Sequence, residues 1–322
     1  MTEPHKELPK SSAVFPVPGV FVPLVTPLLP DRSPDLESLT SLIGFLLDHR
    51  VSGLLVLGSS GECAALPAAD RDLVAGAAIT SARGRAHVMV GVSTVGTIDA
   101  SAEAKRLAGM GADSLLVAAP AGMRLAAAEL ERHFRALADC GAPVVAYDVP
   151  ARVGIALEPH SVARLAREGV IAGIKDSTVE LPKAMRYASA LRGVPGFVTY
   201  TGCEECIDAS MLAGYSGAIP GLANVFPWLP VALVQAAARG DWKRASTLQA
   251  AMVELLDLYS YPLQGGSFLA QFFGTVKSAL VELGVIAHAT SSAVFAEPDR
   301  GLHEHVARVL ARSRDLEVAG AP

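Results

Sequence analysis

The chain has 322 residues, 51% of them hydrophobic and 18% charged, with a formal net charge of −5. That apolar content supports a sizeable core and excludes a disordered chain, and the acidic balance excludes the basic footprint of a nucleic-acid binder. The length suits one large α/β barrel or two ordinary domains.

The first 18 residues, MTEPHKELPKSSAVFPVP, hold no apolar stretch of signal-peptide length and read as a flexible tail. From Gly19 to Pro227 one pattern then repeats. A short apolar run ends in a turn rich in Gly, Ser, Thr or Pro, and an amphipathic helical segment follows. The eight runs are Val20–Val25, Gly53–Leu57, His87–Val92, Ser114–Ala118, Pro143–Tyr147, Val170–Lys175, Phe197–Thr201 and Ser216–Ile219. They recur about every 20 to 35 residues, the spacing of a βα unit. Continuous rather than alternating apolar runs point to a parallel sheet covered on both faces.

Between the runs, Leu39, Leu42, Ile43, Leu46 and Leu47 form one apolar helical stripe, with Ser33-Pro34-Asp35 as its start. The segments 102–108, 126–138 and 181–191 behave alike. Eight such units predict an α/β fold, a (β/α)8 TIM barrel over residues 19–227. A doubly wound sheet is the rival, but no Gly-rich phosphate or dinucleotide loop appears. Past residue 228 the strand signal ends, and 242–259, 267–283 and 301–314 predict a C-terminal helical appendage over 228–322. The uncharged stretch Ala209–Ala238 is broken by Gly217, Pro220, Gly221, Pro227 and Pro230, so it reads as buried strand and loop rather than a membrane span. A cytoplasmic protein with no membrane or nucleic-acid partner is expected.

Four cysteines do not make a disulfide framework. Cys203 and Cys206 form a C-x-x-C, open to redox or metal chemistry. Glu204 and Glu205 beside them oppose a lowered thiol pKa, and the plainer reading is two small apolar residues on a helix.

Barrel active sites lie at the carboxyl ends of the strands. The second run ends in Gly58-Ser59-Ser60-Gly61-Glu62, the fifth in Tyr147-Asp148-Val149-Pro150-Ala151-Arg152, the sixth in Lys175-Asp176-Ser177, and the eighth leads to Pro220-Gly221. Arg outnumbers Lys by 20 to 7, so each lysine can be weighed singly. Lys6 and Lys10 lie in the tail, and Lys105, Lys183, Lys243 and Lys277 in predicted helices, where a solvated charge is the default. Lys175 alone ends an apolar strand. Partial burial there favours the neutral, nucleophilic amine, which can attack a carbonyl and form a Schiff base. The plainer reading is a lysine snorkelling to the barrel rim or paired with Asp176.

Tyr147, ending the neighbouring strand, supplies a phenol that can move a proton, or an aromatic lid on the core. The Ser59-Ser60 turn offers hydroxyls and amides to a carboxylate or phosphate, or is an ordinary helix cap. Arg152 suits an anionic substrate group or a surface carboxylate.

Taken in order, these motifs resemble the dihydrodipicolinate synthase / N-acetylneuraminate lyase family of class I aldolases. The matching pieces are Val25-Thr26-Pro27, Gly58-Ser59-Ser60-Gly61-Glu62, Tyr147-Asp148-Val149-Pro150, Gly173-Ile174-Lys175-Asp176-Ser177, Gly217-Ala218-Ile219-Pro220-Gly221 and Thr275-Val276-Lys277-Ser278-Ala279-Leu280, within about residues 19 to 290. The resemblance implies that Lys175 captures pyruvate or another 2-oxo acid as a Schiff base and that a C–C bond to an aldehyde is made or broken. It implies Tyr147 and Ser60 as the proton relay and the Ser59 and Ser60 amides as the carboxylate holder. Arg152 would bind the aldehyde's anionic group, and Pro220 with Gly221 the pocket floor. It implies no metal or organic cofactor, and a homo-oligomer, a dimer or tetramer.

The family's synthases carry two consecutive tyrosines after strand four. Here the stretch is Ala118-Ala119-Pro120-Ala121-Gly122-Met123-Arg124. A dihydrodipicolinate synthase-like and a 2-keto-3-deoxy sugar acid aldolase-like activity are both kept, with a non-catalytic 2-oxo-acid-binding paralogue as the alternative. A pyridoxal phosphate barrel finds no phosphate loop after strands seven and eight.

Overall fold

The computed structural model describes residue 15 and residues 17–320, without the side chains of 315 and 317–320. The expected N-terminal tail therefore lies outside the described residues except for Phe15, Val17 and Pro18, and the last two residues of the expected C-terminal region lie outside as well.

Eight βα units follow in order: β1 (Gly19–Pro23), α1 (Leu36–Asp48), β2 (Gly53–Val56), α2 (Ala68–Ala82), β3 (His87–Gly91), α3 (Thr97–Met110), β4 (Ser114–Ala118), α4 (Ala127–Arg135) and β5 (Val144–Asp148). Then come a short α5 (Pro150–Val153), α6 (Pro159–Arg167), β6 (Gly173–Asp176), α7 (Leu181–Leu191), β7 (Val198–Thr201), α8 (Ile207–Ala213), the two-residue β8 (Gly217–Ala218) and α9 (Trp228–Ala238). The strands are all parallel and close into one barrel in sequence order. This is the predicted (β/α)8 fold.

The helix starts follow from local chemistry. Asp35 caps α1, its carboxylate accepting from the Ser38 amide at 3.0 Å and the Ser38 hydroxyl at 2.7 Å. The stripe Leu39, Leu42, Ile43 and Leu46 then turns into the core. Strand residues alternate between two environments. Phe21, Leu55, Met89, Leu116, Val145, Val198 and Tyr200 fill the barrel interior. Their strand neighbours Val20, Val22, Leu54, Val56, Val88 and Val90 pack outward under the helices. The amino-terminal mouth is plugged: Phe15 lies against His87, and Tyr200 donates its hydroxyl to the Val17 carbonyl.

The barrel closes on glycine. β1 and β8 pair Gly19 with Gly217 and Val20 with Ala218. A Cβ on Gly217 would stand 1.9 Å from the Gly19 carbonyl oxygen, so no other residue lets the strands approach. The fully buried Asn224 stitches the same seam. Its amide donates to the Pro23 carbonyl at 2.9 Å, and its oxygen accepts from the Val25 amide at 3.1 Å.

α9 packs on β1 and β8 as the helix of the eighth unit. Three further helices, α10 (Trp242–Leu255), α11 (Phe268–Glu282) and α12 (Arg300–Gly320), form the appendage. α10 leads by a 3-10 turn, Leu256–Tyr259, toward the carboxyl end of the barrel. Among the described residues no helix is long and apolar enough to cross a membrane.

Candidate active site

A cavity of about 130 Å³ opens at the carboxyl ends of the strands. The registers of β5, β6 and β7 place Tyr147 beside Lys175 and Lys175 beside Tyr200. The Lys175 Nζ lies 4.7 Å from the centroid of the Tyr147 ring. Both side chains are buried, Lys175 at 5% and Tyr147 at 8% exposure. No carboxylate lies within ion-pair distance of Lys175 among the described residues, so the pairing with Asp176 considered above is not formed. Asp176 instead accepts from the Tyr215 hydroxyl at 2.8 Å and from the Thr178 hydroxyl at 2.7 Å.

The cavity wall also contains Ser59, Ser60, Arg152 and Gly221. Pro220 is buried behind it and caps the 3-10 turn Gly221–Asn224. Burial resists ionisation of the Tyr147 phenol. The Lys175 charge, the hydroxyls of Ser59 and Ser177 and the Arg152 charge outweigh it and hold the phenol below its ordinary range. Ser177 reaches this position because residue 202 is glycine: a Cβ there would lie 2.1 Å from the Ser177 Oγ.

The Ser59-Ser60-Gly61 turn is clamped from both sides. The Thr26 hydroxyl donates to the Gly61 carbonyl at 2.7 Å. Glu62, in the left-handed region at φ 56, turns its side chain into a buried network with α11. One carboxylate oxygen pairs with the Lys277 ammonium and the other accepts from the Ser292 amide at 2.7 Å. Lys277 also donates to the Thr290 carbonyl at 2.7 Å. Burial pushes the Lys277 ammonium down and Glu62 pulls it back up. The strand-end residue Asp148 is likewise buried and paired with Lys183 at 2.6 Å, with the Tyr187 hydroxyl at 2.7 Å and the Leu157 amide at 3.0 Å. The expectation that helical lysines are solvated is thus corrected for Lys183 and Lys277, because each meets a carboxylate that the barrel buries.

Sequence reasoning missed several wall residues, Glu204, Tyr259, Phe268, Leu269 and Phe272 among them. Glu204 follows β7, and its carboxylate accepts from the Leu222 amide at 2.7 Å. Burial, against the backbone amides and the Lys175 charge, pushes it up to about 7. The strand-end rule that found Lys175 would have found it too, had it been applied to the seventh strand. Tyr259, Phe268 and Phe272 come from the appendage, where no barrel periodicity points to the site. The Tyr259 hydroxyl is buried without a hydrogen-bond partner, and burial with the nearby Glu204 and Glu205 pushes it well above its ordinary range. The site therefore combines an amine free of ion pairs, a phenol held by hydroxyls, a rim guanidinium and a carboxyl group that titrates near neutrality. Such a set can add an amine to a carbonyl and move the protons that the addition requires.

Residues 16–311 match the model of the dihydrodipicolinate synthetase family. A 4-hydroxy-tetrahydrodipicolinate synthase of Anaeromyxobacter sp. (strain Fw109-5) is 33% identical over 267 residues, 83% of this chain and 87% of that protein. Among solved structures, the dihydrodipicolinate synthase of Bacteroides thetaiotaomicron aligns with a TM-score of 0.85 at 29% identity, over 92% of this chain and 99% of the other. YagE, an E. coli K12 prophage protein of the dihydrodipicolinic acid synthase family solved with pyruvate, aligns with a TM-score of 0.84 at 26% identity, over 95% and 99%.

Proposed function

Because the chain belongs to the dihydrodipicolinate synthetase family of carbon–carbon lyases and synthases, we propose that Lys175 is its Schiff-base residue and pyruvate or another 2-oxo acid its first substrate. The observation that carries this reading is the contrast among buried lysines. Lys183 and Lys277 are held by Asp148 and Glu62, while Lys175 has no carboxylate within ion-pair distance among the described residues and lies over the Tyr147 ring at the open cavity.

The Lys175 amine adds to the ketone carbon. Tyr147 relays two protons to the carbinolamine oxygen, one from the amine and one from solvent, so that it leaves as water and an iminium remains. The iminium withdraws electrons, so C3 loses a proton and an enamine forms. C3 of the enamine then bonds to the carbonyl carbon of an aldehyde, and water releases the product from Lys175. Cleavage runs the same steps backwards. The amides of Ser59 and Ser60 hold the 2-oxo acid carboxylate, Gly221 forms the floor with Pro220 capping its turn, and Arg152 meets an anionic group on the aldehyde.

No hydroxyl residue stands in the 118–124 loop, and Tyr147 finds its hydroxyl partners, Ser59 and Ser177, within its own chain. This supports a relay built on Tyr147 with Ser59 and Ser177, and Ser60 beside it. Glu204 and Tyr259 supply polar groups for a hydroxylated aldehyde and favour a sugar-acid aldolase over a synthase acting on a plain aldehyde acid.

The exposed Val95, Ile98 and Met123, near the ends of the neighbouring β3 and β4, offer apolar surface for a second copy, in keeping with a homo-oligomer. Light scattering measures that state. Four unpaired cysteines fit a reducing cytoplasm.

Incubation with pyruvate and borohydride, followed by intact mass and peptide mapping, tests the reading. A reduced pyruvyl adduct on Lys175 is expected. A folded protein that takes no adduct from pyruvate or from larger 2-oxo acids returns the site to the binding-only paralogue. A screen of polyhydroxy aldehydes against a short carboxylated aldehyde then separates the two activities.

A further inference from the structure

The C-x-x-C that the proposed reaction leaves unused sits on the wall of the site. Cys203 and Cys206 bracket the 3-10 turn Glu204–Cys206 that carries Glu204 into the cavity. The two sulfurs are 3.0 Å apart, and both cysteines are free. Cys203 is buried and Cys206 half-buried. Cys206 donates to Cys203, and Cys203 in turn to the Glu205 carboxylate at 3.5 Å. This is the geometry of a nucleophilic thiol reachable from solvent, backed by a buried resolving thiol whose proton already has an acceptor.

We propose that Cys203 and Cys206 form a redox-active dithiol, oxidised reversibly to a disulfide by low-molecular-weight disulfides, and that closing it displaces the Glu204 turn from the cavity. The chemistry balances as two exchanges. The Cys206 thiolate attacks one sulfur of glutathione disulfide, breaking that S–S bond and releasing one glutathione thiolate. The glutathione thiolate released first takes the Cys203 proton, and the Cys203 thiolate then attacks the Cys206 sulfur, releasing the second glutathione. Two protein thiols are oxidised and one disulfide is reduced to two thiols.

The neighbours set the order of attack. Once ionised, Cys206 accepts from the Cys203 thiol instead of donating to it, and this contact holds Cys206 below the ordinary thiol range despite its burial and the acidic Glu205 and Asp208. The same contact, reinforced by burial, pushes Cys203 up. The acidic neighbours oppose ionisation of both thiols, as the sequence suggested, and at Cys206 alone the sulfur 3.0 Å away outweighs them.

The coupling to the site is mechanical. Bond formation draws the sulfurs from 3.0 Å to about 2.05 Å. The segment that must give carries Glu204, whose side chain ties to Leu222 and whose carbonyl accepts from the Gln249 side chain at 2.9 Å. Lys175 and Tyr147 stand on other strands and stay in place. Oxidation is therefore expected to spare capture of the 2-oxo acid and to slow the step that involves the second substrate.

The test treats the full chain with glutathione disulfide, alkylates it and maps the peptides. A Cys203–Cys206 peptide lighter by two hydrogens, protected from alkylation and restored by dithiothreitol, is expected. Cys203→Ser should instead accumulate a stable glutathione adduct on Cys206, while Cys206→Ser should leave Cys203 unmodified. Both thiols remaining alkylatable in the treated wild type would overturn the proposal, with no variant needing to fold.

The second readout compares reduced and oxidised protein for borohydride-trapped pyruvate and for turnover. Equal trapping with turnover lowered about tenfold in the oxidised form supports the coupling, and unchanged turnover overturns it. This readout rests on the Schiff-base reading. If the reduced protein traps no 2-oxo acid, that reading fails, while the thiol map still decides the dithiol.

Discussion

Two of the buried lysines of this protein stand in opposite surroundings. At the barrel mouth Lys175 is 5% exposed, lies over the Tyr147 ring and faces a cavity. Behind the Ser59-Ser60 turn Lys277 is fully buried, and its ammonium donates to Glu62 and to the Thr290 carbonyl. Burial alone does not distinguish a nucleophile from a strut. What does is whether the fold also buries a carboxylate for the amine to meet. Where it does, as again for Lys183 with Asp148, the ammonium is spent on holding loops together. Where it does not, the amine stays free of an ion pair, which is what the proposed Schiff-base role requires.

The comparison can be broken at either lysine. Lys175→Ala should abolish turnover and the trapped pyruvate adduct while changing stability by no more than about 1 kcal/mol, because no buried ion loses its partner. Substantial remaining activity would remove Lys175 from the chemistry. Lys277→Met should do the reverse in urea unfolding, lowering stability by about 3–5 kcal/mol by stranding the Glu62 carboxylate. Adding Glu62→Leu should recover part of that loss, and a double variant no more stable than the single one would refute the pairing argument.

Smaller effects sharpen the contrast. Tyr147→Phe should lower kcat by roughly 10²-fold with the pyruvate adduct still trappable, the scale of a lost proton-transfer group. An unchanged kcat would return Tyr147 to a packing role. Arg152→Ala should raise KM for a carboxylated aldehyde by about tenfold, one charged hydrogen bond, and affect pyruvate less. Equal effects on both substrates would reject its assignment.

The smallest effect is in pH. Glu204 keeps its proton to about pH 7 when folded, against an ordinary value of 4.5. Between those values the folded state binds more protons than the unfolded, so this group's contribution falls as pH rises. His87, at the plugged end, runs the other way. Burial drops it from 6.5 to about 4, so its contribution is lost as pH falls through that window. Glu204→Gln should flatten the decline between pH 5 and 7 in urea titrations, and an unaltered slope would assign it to other groups.

Much of this was legible from the sequence. The eight apolar runs lie within a few residues of the eight strands, because parallel strands buried on both faces must be apolar almost throughout. Lys175 was legible for the complementary reason, as the one charge ending such a run. The paired lysines were not. Helical periodicity marks the face a residue lies on, but Glu62 and Lys277 are 215 positions apart, and only the folded chain brings them together. Tyr259 and Phe272 were hidden likewise, since they reach the site from the appendage. Glu204 was within reach, two residues beyond the pocket-lining Gly202, and is the clearest case of a rule applied to some strand ends and not others.

The glycine seam between β1 and β8 has a consequence in time. Its contacts join residues 19 and 20 to 217 and 218, nearly the whole barrel apart in sequence. On a ribosome adding 5–20 residues per second, the first strand waits roughly 10 to 40 s for its partner. Through that interval Phe21 and Val22 belong to an open edge, the state most exposed to wrong pairing. Any substitution that slows closure at Gly217 therefore acts first on the yield of folded protein, before its effect on the finished barrel can be measured.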